Sequence, residues 1–310
     1  MGSITKTANR RDAAPQRSAA GTSATRTRTA GLVGRAILAS QSPVIHETEA
    51  AEHGAALAYM LVDFDALGLD DAALGPTLDL LRGIGLSGVN ITHPFKQQVI
   101  DLLDEVEPTA RALGAVNCVR FEDGRMIGFN SDWVGFGWLL DSALPGRALA
   151  CVAQMGAGGA GSATAWALLA KGTRELRLHD VSAERCEALA QRLRTHFPEA
   201  DVRVVSSAAE AIAGADGVVQ STPVGMADHP GVPFDPDLLE ARQWLADVIY
   251  FPRESELVRR ARAAGLVAVG GEAMVVGQAA DPFRRFTGLE PDRARMMEAL
   301  RLRLEANETT

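Results

Sequence analysis

The glycine-rich segment at residues 156–161 constrains the fold of this chain more than any other feature of its sequence. It follows an apolar run at 149–152 and precedes a helical pattern that extends to about Ala170. A second apolar run, at 176–178, then leads to Asp180. The order strand, glycine turn, helix, strand and acid is typical of a dinucleotide-binding unit. The sequence therefore predicts a Rossmann-type domain that holds a nucleotide at this turn.

Each glycine of the segment has an expected role. Gly156 permits the tight turn, Gly158 lets the backbone approach a pyrophosphate, and Gly161 lets the helix pack close to the strand. Amide groups at the start of the helix face the phosphates. The predicted cofactor contacts at the turn are therefore Gly156, Ala157, Gly158, Gly159 and Ala160.

The acid after the second strand bears on the choice of cofactor. A carboxylate at Asp180 accepts hydrogen bonds from the ribose hydroxyls and repels a 2′-phosphate, which favours NAD and makes NADP the less expected cofactor. Arg185 lies five residues further on. It either weakens this preference or is an exposed residue of the next helix.

Composition narrows the functional class. The chain has 310 residues, 47% of them hydrophobic, and a net charge of −8, which gives no indication of nucleic-acid binding. No stretch approaches the roughly 18 apolar residues of a membrane-spanning helix. Cys118, Cys151 and Cys186 lie far apart, and neither they nor the histidines show the spacing of metal ligands. We expect a cytoplasmic protein of one or two domains without a metal, with a small-molecule substrate, that is a monomer or a homodimer.

The first 30 residues differ from the rest of the chain. They are rich in Ala, Ser, Thr and Arg, with six basic residues against one acid, Asp12, and no apolar periodicity. A disordered tail is the expected interpretation of residues 1–30. An organellar transit peptide and an over-long start remain alternatives.

Strands and helices alternate along the remaining chain. Short strands are expected at 32–34 and 89–92. One helix is expected to have Ser42 as its N-cap and Pro43 in its first turn, and another is expected from Pro94 to about Leu103. Two strands flank a hairpin turn at Asp123-Gly124. This alternation predicts an α/β fold of parallel sheets with right-handed crossovers, in two domains with the ligand in the cleft between them.

Several polar residues of the first half stand where a core does not require them. In the predicted helix after Pro94, Lys96 lies in the first turn, where the helix dipole disfavours a cation. It is either an exposed lysine without a role or, if partly shielded in a cleft, a group that exchanges protons near neutral pH. Asp132 begins a helix, where capping alone explains it, or it pairs with a lysine and a substrate hydroxyl. Loop asparagines commonly stabilise turns, but Asn90, Asn117 and Asn130 would together suit a polyol.

The order and spacing of these residues resemble the shikimate and quinate dehydrogenases. The segments that carry the resemblance span residues 31–310: GLVGRAILASQSPVIH, GVNITHPFK, GAVNCV, GFNSDWVGFG, GAGGAG, STPVGM, DVIYFPRESEL and GGEAMVVGQAADPF. The combination of SxSP, N[IV]TxPxK and NxD is specific to that family, whereas the glycine turn alone is not.

The resemblance implies a set of site residues and a domain division. Lys96 and Asp132 would be the catalytic pair. Ser40, Ser42, Thr92, Asn117, Tyr250 and Gln278 would bind the substrate, and the nicotinamide side of the cofactor would meet Thr222, Val224, Met226, Val248 and Gly271. A substrate-binding domain at 31–143, completed by helices at 279–310, would precede a Rossmann domain at 144–278.

Some positions depart from the family pattern. Cys118 and Ser131 each replace a threonine. Gln220 replaces an asparagine, so the turn beside the cofactor is expected to differ. Asp180-Val181-Ser182 stands where NADP-using members have Asn-Arg-Thr, which places the chain nearest the NAD-dependent quinate/shikimate branch. That branch often has threonine at the position of Ser42, so shikimate stays open as a substrate.

The implied function is reversible oxidation of the C3 hydroxyl of shikimate or quinate, with hydride transfer to NAD, in the shikimate pathway or in quinate catabolism. Three alternatives remain. The chain could be an NADP-dependent biosynthetic shikimate dehydrogenase, or an amino-shikimate or amino-quinate dehydrogenase. It could also be a non-catalytic regulator that senses quinate or NAD, although the presence of both Lys96 and Asp132 speaks against that.

Overall fold

A computed structural model describes Gly2 and residues 27–308. Its first strand begins at Arg28, so the last three residues of the segment predicted as a tail belong to the sheet, and the predicted strand start at Leu32 is wrong. Arg28 is in register with Leu57 of the neighbouring strand, and this pairing extends the strand towards the N-terminus. The rest of the predicted tail, residues 3–26, lies outside the described residues.

A six-stranded mixed sheet forms the centre of the N-terminal domain. Its strands, in the spatial order β2-β1-β3-β5-β6-β4, are β1 (Arg28–Gly34), β2 (Leu57–Asp63), β3 (Gly88–Ile91), β4 (Glu105–Val106), β5 (Cys118–Glu122) and β6 (Arg125–Phe129). β1 is parallel to β2 and β3, whereas β5 is antiparallel to β3 and to β6. The expectation of parallel pairing therefore holds for β1, β2 and β3, and fails at the pairs that β5 makes.

The predicted hairpin explains the antiparallel pairs. Asp123 and Gly124 both have positive φ, 50° and 76°, as a tight two-residue turn between strands requires. Such a turn reverses the chain within the sheet and needs no helical crossover. The hairpin prediction is confirmed. The antiparallel pairs at this hairpin are the part of the sheet that the alternation of strands and helices does not describe.

Four helices belong to this part of the chain: α1 (Ser42–Glu52), α2 (Leu74–Gly83), α3 (Pro108–Leu113) and α4 (Asp132–Ala143). The N-cap of α1 is Gln41 and not Ser42. No α-helix follows Pro94: residues 93–97 form turns and a 3₁₀ helix spans Gln98–Leu102. The amide of Val116 donates to the carbonyl of Lys96 at 2.8 Å and so occupies the acceptor that an α-helix would use at this point.

The second domain has the predicted Rossmann topology. Its sheet is wholly parallel, in the spatial order β12-β11-β10-β7-β8-β9, with strands β7 (Cys151–Met155), β8 (Glu175–His179), β9 (Asp201–Val204), β10 (Gly217–Gln220), β11 (Trp244–Asp247) and β12 (Val267–Val269). The helices of this domain are α5 (Gly159–Ala170), α6 (Ala183–His196), α7 (Ala208–Ile212) and α8 (Glu256–Ala263). The strand order reverses between β7 and β10, where dinucleotides bind in this fold.

The last two helices, α9 (Glu272–Thr287) and α10 (Arg293–Glu308), return to the N-terminal domain. α9 lies against α4 at a pair of glycines: a Cβ on Gly277 would come within 2.8 Å of the Cα of Gly135. α10 is held to α1 by an ion pair between Arg295 and Glu49, whose side chain is fully buried. Among the described residues, no helix is long and apolar enough to cross a membrane.

A glycine in the Rossmann sheet provides a test of packing. A Cβ on Gly217 would lie 1.9 Å from the ring of Trp244, the buried residue beside it on β11. We expect Gly217→Ala to lower the free energy of unfolding by about 1–3 kcal/mol, because the ring must move. Chemical denaturation measures this. Gly83→Ala, at the end of α2 with no atom within 4 Å of the added Cβ, is the matched control and should cost nothing. Equal effects of the two changes would contradict the packing argument.

Candidate active site

A cavity of about 140 Å³ in the cleft brings together all eight residues predicted to bind or convert the substrate. They come from the start of α1, the end of β3, the turn before the 3₁₀ helix, the start of β5, the start of α4, the loop after β11, and α9. The eight are Ser40, Ser42, Thr92, Lys96, Asn117, Asp132, Tyr250 and Gln278. Their proximity agrees with the sequence analysis, and their individual roles stay predictions.

An ion pair lies in the wall of this cavity. Lys96 Nζ donates to Asp132 Oδ2 at 2.7 Å, and the Asp132 side chain is only 5% exposed. The other carboxylate oxygen accepts from Asn117 Nδ2 at 2.8 Å. The backbone amide of Asp132 donates to Asn130 Oδ1 at 3.0 Å. The Asp132 carboxylate is thus held by Lys96 at one oxygen and by the Asn117 amide at the other.

The start of α4 is tied to α9 by one further bond. Ser131 Oγ donates to the carbonyl of Gln278 at 2.8 Å. This bond joins two segments 147 residues apart in the sequence. It places Gln278 beside the ion pair, at the same glycine contact between α4 and α9.

The two predicted carboxylate-binding serines interact with each other. Ser40 Oγ donates to Ser42 Oγ at 3.2 Å and accepts from the Ser42 amide at 3.3 Å. Both lie at the amino end of α1, where the helix dipole favours an anion. This end of the cavity is therefore suited to a carboxylate.

A second cavity, of about 780 Å³, continues from the first into the space between the domains. Leu32, Ser40, Thr92 and Tyr250 line both cavities and form their junction. Six residues predicted to contact the cofactor line the larger one: Gly158, Gly159, Ala160, Thr222, Met226 and Val248. Its volume is within the range of ligand and cofactor sites.

The glycine turn has room for a ligand where the sequence predicts one. A Cβ on Gly158 or Gly159 would meet no atom within 4 Å. The turn itself is closed: Gly156 has a φ of +102°, and a Cβ on Gly161 would come within 2.3 Å of the Gly156 carbonyl oxygen. The side chain of Gln154 donates to the carbonyls of Gly156 and Gly161 and holds the turn. These residues fit a dinucleotide phosphate.

Asp180 lies behind the turn. Its Oδ2 accepts from the Ala157 amide at 2.9 Å, and its Oδ1 accepts from the Ser182 amide at 2.8 Å and from Arg185 at 3.0 Å. Burial by itself would raise the pKa of Asp180, but the two amides and the guanidinium outweigh it, and the pKa is lowered. The carboxylate is ionised at neutral pH and makes an ion pair with Arg185, which is 58% exposed.

Five predicted cofactor residues do not line the larger cavity: Gly156, Ala157, Asp180, Val224 and Gly271. Gly271 lies close to the backbone just after β11, since a Cβ there would lie 2.1 Å from the Val248 carbonyl oxygen. Val224 belongs to a loop closed by Gln220, which donates to the carbonyls of Thr222 and Val224 and accepts from the Thr222 amide. The glutamine that replaces the usual asparagine thus stabilises this loop.

Sequence reasoning missed two residues of the site. His46 lies in the wall of the smaller cavity, 2% exposed, with its ring stacked on Tyr59 at 4.6 Å between centroids. It lies four residues after Ser42 and therefore on the same face of α1, which was the available signal. Ser221 donates to the carbonyl of Met155 at 2.7 Å and supports the glycine turn from β10.

Comparison with known proteins identifies the family. The family model described as the shikimate dehydrogenase substrate binding domain matches residues 32–119. A shikimate dehydrogenase (NADP(+)) from Pseudarthrobacter chlorophenolicus is 50% identical over 268 residues, which cover 86% of this chain and 92% of the relative. This chain belongs to the shikimate dehydrogenase family. The predicted family and the predicted class of enzyme, an NAD(P)-dependent dehydrogenase, are thereby confirmed.

Other members of the shikimate dehydrogenase family differ in cofactor. A quinate/shikimate dehydrogenase (NAD(+)) from Corynebacterium efficiens is 44% identical and covers 86% of this chain and 95% of its own length. The solved quinate dehydrogenase from Corynebacterium glutamicum in complex with NAD superposes with a TM-score of 0.85 at 41% identity, covering 89% of this chain and 99% of that one. The predicted fold is confirmed. The comparisons establish an NAD(P) enzyme and do not decide between the two cofactors.

Across residues 27–308, no group of three or more His, Cys, Asp or Glu side chains is arranged to hold a metal ion.

A buried carboxyl below the cleft makes stability depend on pH. Burial raises the pKa of Asp247, at the end of β11, to about 6, although Ser255 Oγ and the Ile249 amide donate to it. Between the unfolded pKa, about 4, and the folded pKa the native state holds more protons than the unfolded state, so this group's contribution to stability falls as pH rises.

We expect Asp247→Asn to remove this contribution. Between pH 4 and pH 7 the free energy of unfolding of the native protein should fall by on the order of 2–3 kcal/mol relative to that of the variant. Above pH 7 the difference should change little. Denaturant unfolding of both proteins across this range measures the difference. A difference that is constant with pH would show that Asp247 does not titrate in the folded state.

Proposed function

We propose that this protein reversibly oxidises the C3 hydroxyl of shikimate or quinate, with NAD as the preferred cofactor. The observation that carries the proposal is the position of the Lys96–Asp132 pair in the small polar cavity, which joins the larger cleft at Thr92 and Tyr250. A proton-transfer group and a hydride-transfer site must meet at one carbon atom in such a reaction. The junction of the two cavities provides this meeting point.

The lining of the small cavity suits a hydroxylated ring acid. Ser40 and Ser42 at the start of α1 favour the carboxylate. Asn90, Asn117 and Gln278 offer amide donors and acceptors to ring hydroxyls, and Thr92 offers a hydroxyl. A cavity lined by this many polar groups discriminates against a ligand that does not pair with them.

Lys96 and Asp132 supply the acid–base chemistry. During oxidation Lys96 must first be in its amine form, after the ion pair has lost one proton to solvent. The amine then takes up the hydroxyl proton as the C3–H bond breaks. Asp132, held by Asn117, stabilises the ammonium that forms. In the reverse direction the ammonium returns the proton to the carbonyl oxygen. Tyr250, at the junction, helps to exclude water from the reacting carbon.

Residues of the Rossmann domain hold the cofactor. The amides of Gly158, Gly159 and Ala160 would contact the pyrophosphate, and Thr222, Met226 and Val248 would lie beside the nicotinamide. When bound, the nicotinamide ring supplies the hydride acceptor. The ionised Asp180 at the end of β8 supports NAD, because a carboxylate opposes a 2′-phosphate.

The decisive experiment measures initial rates with quinate and shikimate, each combined with NAD and NADP. Turnover of either acid with NAD is expected. Turnover restricted to NADP would favour the biosynthetic alternative. Absence of turnover with all four combinations, in a folded protein that binds NAD, would contradict the proposed substrate class.

Replacement of the proposed proton acceptor tests the mechanism. We expect Lys96→Ala to lower kcat by about 10²–10⁴-fold, the usual contribution of general acid–base catalysis, with a small change in KM. Steady-state kinetics measure both constants. Lys171→Ala, which removes a surface ion pair with Asp141 outside both cavities, is the matched control. A Lys96→Ala variant with native kcat would exclude the proposed role.

Removal of the charge at the ribose site tests the cofactor preference. We expect Asp180→Asn to lower the ratio of kcat/KM for NAD to that for NADP by about tenfold or more, since like charges placed together cost several kcal/mol. Asp201→Asn, on β9 at the surface, is the control and should leave the ratio unchanged. An unchanged ratio in Asp180→Asn would show that another group selects the cofactor. Arg185 would then be the first candidate, because it already pairs with Asp180.

A further inference from the structure

A continuous line of side-chain hydrogen bonds runs behind the substrate cavity. Tyr59 Oη donates to Asn90 Oδ1 at 2.7 Å, and Asn90 Nδ2 lies 3.1 Å from Cys118 Sγ. Cys118 Sγ in turn lies 3.1 Å from Asn117 Oδ1, and Asn117 Nδ2 donates to Asp132. We call Tyr59, Asn90, Cys118, Asn117 and Asp132 the polar relay. Three of its members, Asn90, Asn117 and Asp132, line the cavity.

The direction of these bonds is fixed at one end. The backbone amide of Ser131 can only donate, and it lies 2.8 Å from Asn117 Oδ1. Asn117 must therefore turn its carbonyl oxygen towards Ser131 and its NH₂ group towards Asp132. The orientation of Asn117 thus depends on the backbone and not on Cys118.

The hydrogen bonds of Cys118 determine which end of the Asn90 amide faces it. The buried thiol has one hydrogen. Its nearer acceptor is Asn117 Oδ1 at 3.1 Å, with Ser131 Oγ further away at 3.5 Å, and the sulfur accepts from Asn90 Nδ2 at 3.1 Å. Burial raises the pKa of Cys118, so the hydrogen is retained at neutral pH. Tyr59 contributes less to this orientation, because its phenol can pair with either end of the Asn90 amide, whereas the single Cys118 hydrogen is directed to Asn117 Oδ1.

We propose that Cys118 is a positioning residue that fixes the orientation of the Asn90 amide in the wall of the substrate cavity, and thereby the affinity for the hydroxy acid. The inference rests on the function proposed above. Because Asn117 and Asp132 keep their own partners, the effect of Cys118 falls on substrate binding and leaves proton transfer largely intact.

The test compares two isosteric residues at position 118. Cys118→Thr keeps a donor and an acceptor, whereas Cys118→Val has neither. We expect the valine variant to raise KM for the acid roughly five- to tenfold, as for one lost hydrogen bond, with kcat within about twofold and KM for the dinucleotide unchanged. The threonine variant should restore KM to within about twofold of the native value. Cys186→Val, at a buried cysteine of α6 outside both cavities, should behave as the native protein.

A second variant distinguishes the orientation of the Asn90 amide from the mere number of hydrogen bonds that hold it. Tyr59→Phe removes one bond to Asn90 but leaves the bond to Cys118, so we expect a change in KM below about threefold. If valine proves too large for the site, as a lowered thermal midpoint would show, Cys118→Ala and Cys118→Ser provide the same comparison in smaller residues.

The outcomes are distinct. Native KM in Cys118→Val, or an equal rise in Cys118→Val and Cys118→Thr, would overturn the inference. A loss of kcat at unchanged KM would also overturn it, because the effect would then lie on Asp132 and not on Asn90. Failure of the native protein to convert either acid would instead contradict the proposed function.

Discussion

The close packing of α4 against α9 is the contact on which the site depends. At Gly135 an added Cβ would lie 2.5 Å from the Met274 carbonyl oxygen and 2.6 Å from the Gln278 amide. The two helices can approach this closely because neither Gly135 nor Gly277 carries a side chain. This approach allows Ser131 to bond to Gln278 and brings α9, which follows the Rossmann domain in sequence, into the wall of the substrate cavity.

The backbone sets the orientation of the polar side chains in the site. The amide of Ser131 orients Asn117, Asn117 orients the Asp132 carboxylate, and Asp132 holds Lys96. Each of these groups is satisfied before a substrate arrives, so little reorganisation is needed when charge develops during proton transfer. The same principle applies at the cofactor turn, where Gln154 and Ser221 hold the carbonyls of Met155, Gly156 and Gly161.

The cofactor site contains two opposed influences. The ionised Asp180 disfavours a 2′-phosphate, while the partly exposed Arg185, paired with it at 3.0 Å, would attract one. Family members with NAD and with NADP in their names are both similar to this chain. In the proposed function, cofactor choice is therefore a balance between these two adjacent side chains.

Most of the Rossmann domain and the eight residues that meet in the smaller cavity were predictable from the sequence, whereas the local structure after Pro94 was not. The glycine turn, Asp180 and the alternation of strands and helices have short-range patterns, and the hairpin at Asp123-Gly124 has a local turn signal. The segment after Pro94 was wrongly predicted as a helix. The outcome there depends on the Val116 amide, which donates to the Lys96 carbonyl from 20 residues away, and no local pattern records such a bond.

The family, the dinucleotide turn and the candidate catalytic pair can be read from the sequence, because each is encoded by residue types at fixed spacing. The tertiary structure adds that Gly271 and Val224 do not line the larger cavity, that Tyr59 stacks on His46 of the smaller cavity, and that Cys118 joins Asn90 to Asn117. These facts depend on distances between segments far apart in the chain. Such distances follow from how whole helices and sheets pack, and spacing along the sequence does not contain them.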